Sequence, residues 1–233
     1  KTYRPLTGKC RAFLAKNLAG TKSAAALAVS IPGLVDVGSH RVEVCPNLHA
    51  LDGTTPAPDI AEGLDVLPIT LQEEQALCVA ARSDPRHASA ANLAVLDVSD
   101  GLGMGLIAHG ELLTGKNGFS GELGHIPAVP GGIRCGCGRR GCLETVAADP
   151  SLLRAASEFI GREIDMDGLK RRVETGESRL SDPPIETAVE HLTRGMAIVM
   201  NLLNPELLLL NGRMFELPGL LKELTDRARA YAL

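Results

Sequence analysis

Apolar residues recur at three- and four-residue spacing from Ile185 through Val189, Leu192, Met196 and Val199 to Leu203, which predicts a helix over 185–203 with one buried face. The same reading predicts helices over 8–19 and 150–160. Another is expected over 73–82, where Glu73 and Glu74 occupy the first turn and complement the helix dipole. Continuous apolar runs predict buried strands at 24–31, stopped by Pro32-Gly33, at 67–71, and at 93–98. Shorter strands are expected at 42–45, at 106–108, and at 206–210, the last ended by Asn211-Gly212. A turn at Pro46-Asn47 leads into a Gly/Thr/Pro-rich loop through Pro58, and a glycine-rich connection joins the strands at 93–98 and 106–108. Strands alternating with helices favour an α/β architecture in two lobes with a ligand cleft between them. A soft boundary at 83–91 divides the chain into an N-terminal lobe, 1–92, and a C-terminal lobe, 93–233. No repeat of fixed period is present.

Composition narrows the function classes. With 233 residues and 45% apolar content the chain can bury a sizeable core. The leucine run at 207–210 is closed by Asn211 and Gly212, so no stretch is long enough to span a bilayer, and no membrane partner is expected. A net charge of −4, with no basic run longer than Lys170–Arg172, argues against these residues holding DNA by themselves. There is no Trp, and the two Tyr and four Phe are scattered. A small polar ligand would therefore be held by carboxylates, amides, imidazole and backbone. Free-thiol usage predicts a cytoplasmic protein, and the start at Lys1, without Met, predicts a fragment or processed form.

Chemistry concentrates between Glu122 and Glu144. Cys135, Cys137 and Cys142, with Gly136, Gly138 and Gly141 between them, form a tight thiol cluster, and His125 lies ten residues upstream. Three thiolates and an imidazole complete a four-coordinate shell, which favours zinc in a structural role. A disulfide reading must accommodate an odd set of three cysteines, and a buried-thiol reading must find a core within a Gly/Arg-rich stretch. Cys10, Cys45 and Cys78 sit in apolar surroundings and read as small core hydrophobes.

Taken together, IPGLVD at 31–36, CPNL at 45–48, DGLGMG at 100–105, GELGH at 121–125, CGCGRRGCLE at 135–144 and NLLNPELLLLNG at 201–212 resemble the ROK family of repressors, open reading frames and sugar kinases. The resemblance implies an actin-like, hexokinase-type (ribonuclease H-like) two-lobe fold, dimeric, with a sugar in the interlobe cleft. It also implies that both ends of that fold are incomplete here, because the family's early DxGxT motif and its final strand and helix find no match. The resemblance assigns sugar contacts to Glu122, His125 and Glu144 and zinc ligation to His125, Cys135, Cys137 and Cys142.

Departures from the family pattern are equally specific. Where its kinases carry an Asn-Asp pair, the Asn on sugar hydroxyls and the Asp as general base, this chain has Glu73 and Glu74. Where they carry a GTGIGGG-like phosphate loop, Asp100 stands at the hydroxyl position ahead of Gly101, Gly103 and Gly105. A carboxylate facing phosphates repels them unless a cation intervenes. The expectation is therefore a sugar-sensing effector domain of a transcriptional regulator, whose DNA-binding winged helix lies outside these residues. The substrate-binding set is Glu73, Glu74, Glu122, His125 and Glu144, with a sugar effector and a second copy of the chain as partners. A sugar kinase using Glu74 as base, with ATP and Mg2+, is the alternative.

Overall fold

The computed structural model describes residues 3–18, 24–46 and 48–233. Ala19, at the end of the first expected helix, and Asn47, in the expected turn, lie outside them. The first part opens with α1 (Tyr3–Leu18), followed by β1 (Ala26–Ile31), the hairpin β2 (Leu34–Asp36) and β3 (Arg41–Val44), and α2 (Pro56–Ala61). Next come β4 (Leu67–Gln72) and α3 (Glu73–Ser83). Strand β1 pairs with β4 in parallel, with Ala26 opposite Leu67 and Ile31 opposite Gln72. A small core of Ile31, Val35, Val42, Cys45 and Leu51 lies beneath the hairpin.

A four-stranded sheet organises the rest. Strands β5 (Leu93–Val98), β6 (Leu102–Ala108) and β7 (Glu111–Leu112) form an antiparallel meander, and β8 (Leu207–Asn211) joins β5 in parallel, giving the order β7-β6-β5-β8. Between β7 and β8 the chain forms α4 (Glu144–Ala147), α5 (Asp149–Ile160), α6 (Met166–Glu174) and α7 (Pro183–Leu203); α8 (Leu220–Tyr231) follows β8. The 3.6-residue stripe of α7 is buried from Ile185 through Val189, Leu192, Met196 and Val199, but Leu203, expected to close the stripe, is exposed at the helix end.

Strand pleating separates two cores. Ala94, Leu96 and Val98 face α4, α5, α7 and α8, whereas Leu93 and Val95 face α3 with Cys78 and Ile107. Helix α3, which precedes the 83–91 segment, thus shares a core with strands that follow it. Burial on both faces also explains why β5 reads as an unbroken apolar run.

Several expectations change. Strand β6 begins at Leu102, so the glycine-rich connection shrinks to Ser99–Gly101, and Gly103 and Gly105 are strand residues. The pleat turns both glycines toward α3. A Cβ at Gly103 would sit 2.2 Å from Glu74 Oε1, and one at Gly105 would sit 2.1 Å from the Glu74 carbonyl oxygen and 2.8 Å from Cys78 Cβ. The glycines therefore let a helix lie directly on a strand. Helix α2 lies where the sequence reads as loop, and Pro56 suits its first position because the proline lacks the N–H that the first turn leaves unused. Helices α6 and α8 were also unforeseen. Cys45 and Cys78 are core residues as expected, but Cys10 is only partly buried because α1 buries no side chain fully. Among the described residues no helix is long and apolar enough to cross a membrane.

Replacing Gly105 with Ala should destabilise the protein by about 1–3 kcal/mol, since backbone atoms of α3 must move to admit the methyl group. Urea unfolding of the two proteins side by side checks this, and equal midpoints would show that α3 yields freely.

Candidate functional site

The segment 122–144 folds around a small antiparallel clasp. Pro127 bridges to Cys142 and Arg134 to Arg140, while Leu143 N–H donates to the Ile126 carbonyl at 3.0 Å. Inside it a tight turn, with Gly138 N–H on the Cys135 carbonyl at 3.0 Å, folds Cys137 back. The clasp carries Cys142 to the 3-10 turn Leu123–His125. As a result the ligand atoms of His125, Cys135, Cys137 and Cys142 all lie within 4.8 Å of one another. His125 Nδ1 is 3.6 Å from Cys135 Sγ, and Cys137 Sγ is 3.7 Å from Cys142 Sγ. Tetrahedral zinc with ordinary bond lengths sets its ligand atoms about 3.4–3.8 Å apart, so these four residues fit such an ion. Burial pushes the Cys135 and Cys142 thiols up, and a bound divalent cation would reverse that direction.

The ring of His125 has two sides in use. With Nδ1 toward the thiols, Nε2 lies 3.5 Å from Glu122 Oε2. Metal ligation through Nδ1 would leave a proton on Nε2 and fix its direction. Glu144, the first residue of α4, accepts from Leu102 N–H at 3.3 Å through Oε2, and its Oε1 lies 3.4 Å from Cys135 Sγ. That carboxylate is pinned between the β5–β6 turn and the cysteine cluster.

Glu74 completes this side of the site. It lies in the first turn of α3 over Gly103, and its carboxyl is pushed up to about 7, first by burial and then by the neighbouring charges of Glu122, Asp97 and Glu73. Burial also raises Glu122, opposed by His125 and by the Gln72 side chain. Thus Glu74, Glu122, His125 and Glu144 come together. Glu73 does not join them. It is exposed, and its carboxyl is raised by burial and by Asp97 and Asp100 on the other side of the α3 terminus.

Around Glu73 the charge is mostly acidic. Asp97 continues the row of Leu93 and Val95 on the α3 face, and is held by the Ser99 hydroxyl at 2.8 Å and the Asn211 amide. Asp149, at the start of α5, is pushed up to about 6 by burial, with Asp100 and Asp97 adding to the effect and Arg213 opposing it. Arg213 is itself paired with Asp167. Asp97 was legible in the sequence as an acid within an all-buried strand, and Asp149 gave only an ordinary helix-start signal.

Two further residues escaped the sequence reading. Gln72 and Gln75, 3% and 1% exposed, form a hydrogen-bonded pair beside Glu122. Their i, i+3 spacing across a helix start was the available signal. A surface concavity of about 820 Å³ between α5 and α6 contains none of these groups. Convergent chemistry marks the site better than volume does.

Comparison with known proteins gives this arrangement a context. The sequence profile of the ROK family matches residues 2–233. A glucokinase of Halalkalibacterium halodurans is 35% identical over 159 residues, covering 62% of this chain and 48% of its own. The DNA-binding transcriptional dual regulator NagC of Escherichia coli is 29% identical over 201 residues, covering 82% of this chain and 49% of its own. The chain therefore spans about half the length of these curated relatives. The crystal structure of the ROK hexokinase from Thermus thermophilus superposes with a TM-score of 0.81 at 26% identity, covering 99% of this chain and 78% of that one. The fold is the actin-like, hexokinase-type α/β fold in two lobes.

About one zinc per chain should be retained, and Cys135→Ser should lower that content and speed backbone hydrogen exchange across 122–144. Elemental analysis finding no stoichiometric zinc in metal-replete protein, or a disulfide within the cluster, would contradict the assignment. A second expectation concerns Glu74. Its folded-state pKa lies above the unfolded one, so its contribution is fully present below about 4.5 and is lost as pH rises to about 7. Glu74→Gln should therefore stabilise the protein at pH 8 by up to about 3 kcal/mol, with the gain vanishing near pH 4.5. Denaturant unfolding across that window reads the difference.

Proposed function

The chain belongs to the ROK family, and on that premise we propose that it is the sugar-binding effector part of a transcriptional regulator, acting in the cytoplasm as a homodimer with structural zinc. A monosaccharide would seat in the interlobe cleft against Glu122, His125 and Glu144. The observation that carries this reading is the contrast between the two sides of the α3 terminus. The sugar-facing carboxylates and the histidine are together, while Glu73, Asp97, Asp100 and Asp149 gather where the family resemblance places ATP phosphates. Anionic phosphates would meet this charge with little cationic compensation. NagC, named as a DNA-binding regulator, and the glucokinase both align with most of this chain, so relatives of both kinds accompany it.

His125 would act twice, ligating zinc through Nδ1 and donating a hydrogen bond to a sugar hydroxyl or to Glu122 through Nε2. Zinc supplies a rigid, closed shell that holds the ring and the clasp in place. Sugar binding would favour one relation of the lobes, and a DNA-binding segment outside these residues would read that relation.

One observation favours a sugar kinase instead. Glu74 is a buried carboxyl with a pKa near 7, suited to general-base work at neutral pH. Its extra methylene relative to aspartate changes the reach, and in-line transfer tolerates misplacement poorly.

Calorimetry of the full-length, zinc-loaded protein against glucose, N-acetylglucosamine and N-acetylmannosamine should find a ligand. Glu144→Gln should weaken that ligand by about 1–3 kcal/mol. Incubation with ATP and Mg2+ should give no appreciable sugar phosphate. Absence of binding across the panel sinks the sensing role, whereas turnover of about 1–1000 per second that disappears in Glu74→Gln establishes the kinase.

A further inference from the structure

The two buried glutamines form a directional chain of hydrogen bonds that ends on Glu122. Gln75 Nε2 donates to the Gly118 carbonyl at 2.9 Å and to Gln72 Oε1 at 2.9 Å, and Gln72 Nε2 donates to Glu122 Oε1 at 3.3 Å. Partners dictate the orientation of each amide. Turning Gln75 over would set its oxygen against two acceptors, and turning Gln72 over would set an oxygen against a carboxylate. Gln72 is therefore a donor to Glu122. Burying two amides is costly unless they are bonded, and Gln75 tolerates an unpartnered Oε1 in return for two donated bonds.

The chain of bonds also has a fixed far end. Gly118 adopts φ +87°, and a Cβ there would lie 2.2 Å from the Val35 carbonyl oxygen of β2. Its backbone is thus wedged between the β2–β3 hairpin and α3. Gln72 is the last residue of β4, whereas Glu122 precedes the 3-10 turn that carries His125. The bonds therefore cross from the N-terminal strands to the loop bearing the ligand-facing groups.

We propose that Gln72 and Gln75 are positioning residues for sugar recognition: anchored on the Gly118 carbonyl, they fix the plane of the Glu122 carboxylate and aim its free oxygen at a sugar hydroxyl. This rests on the sugar-binding reading above. Gln72 occupies Oε1 of Glu122, leaving Oε2 on the His125 side to meet the sugar. Gln75 acts only through Gln72, so the two contributions are coupled.

Gln72 and Gln75 are the only glutamines in residues 1–233, which makes side-chain 15N labelling tractable. In the zinc-loaded protein the Gln72 and Gln75 amide protons should exchange at least about tenfold more slowly than those of free glutamine, and Gln75→Met should release those of Gln72. Calorimetry with glucose and N-acetylglucosamine should show Gln72→Met weakening the sugar that binds by roughly ten- to a hundredfold, with zinc content and Tm unchanged. Gln75→Met should weaken it less, and the double variant should bind no worse than Gln72→Met alone. Solvent-rate exchange in the unmodified protein, unaltered affinity in Gln72→Met, or additive losses in the double variant would each overturn the proposal. If neither sugar binds the unmodified protein, the sugar reading fails and the exchange measurement alone decides whether the relay exists.

Discussion

The contact between α3 and the glycines of β6 is the constraint on which the site depends. Without side chains at 103 and 105, the helix backbone reaches the strand, and the Glu74 carbonyl oxygen occupies the place where a methyl group would stand. This close approach puts the first turn of α3 on the face of the four-stranded sheet, over the start of β6. Both carboxylates of that turn follow from it: Glu74 is directed over Gly103 into buried surroundings, and Glu73 toward Asp97 and Asp100. The glycine run that resembles a phosphate loop thus has a packing role in this chain.

Electrostatics on the two sides of that helix terminus differ in kind. Toward the cysteine clasp, acids are accompanied by an imidazole, the Gln72 amide and a backbone N–H, so their charge is directed. Toward Asp97 and Asp149 the acids lie near one another, the Ser99 hydroxyl and Asn211 amide donate to Asp97, and the Arg213 that opposes the Asp149 shift is shared with Asp167. Three thiolates with one divalent ion would carry a net negative charge, so a bound metal would organise the first side without neutralising it. Its contribution there is geometric.

The clasp and the contact of His125 with Glu122 are local in sequence, whereas the bond from Gln72 to Glu122 links distant stretches of chain. Such buried polar connections cost least when their donors find acceptors, as both glutamine amides do here although Gln75 Oε1 does not, which ties ligand-site geometry to the packing of α3. A change at Gly105 or Gly118 would therefore reach the carboxylates without touching them.

Much of the architecture was legible because its periodicities are strong. The stripe of α7, the unbroken run of β5 and the acidic start of α3 each express a local rule, and all three elements stand within a few residues of where the sequence places them. The metal cluster was equally legible, since soft ligands at short spacing within glycines have few other uses. Only the folded chain decided the rest. Strand β6 hides its start in glycines, which carry no pattern of burial, and α6 and α8 offer mixed sequences whose helicity is settled by packing. Composition could not tell that Glu73 and Glu74, adjacent in sequence, face different surroundings; successive helical residues point about 100° apart, and what each meets is set by strands far along the chain. Gln72 and Gln75 likewise resembled any polar helix start until tertiary contacts supplied Gly118 and Glu122 as partners.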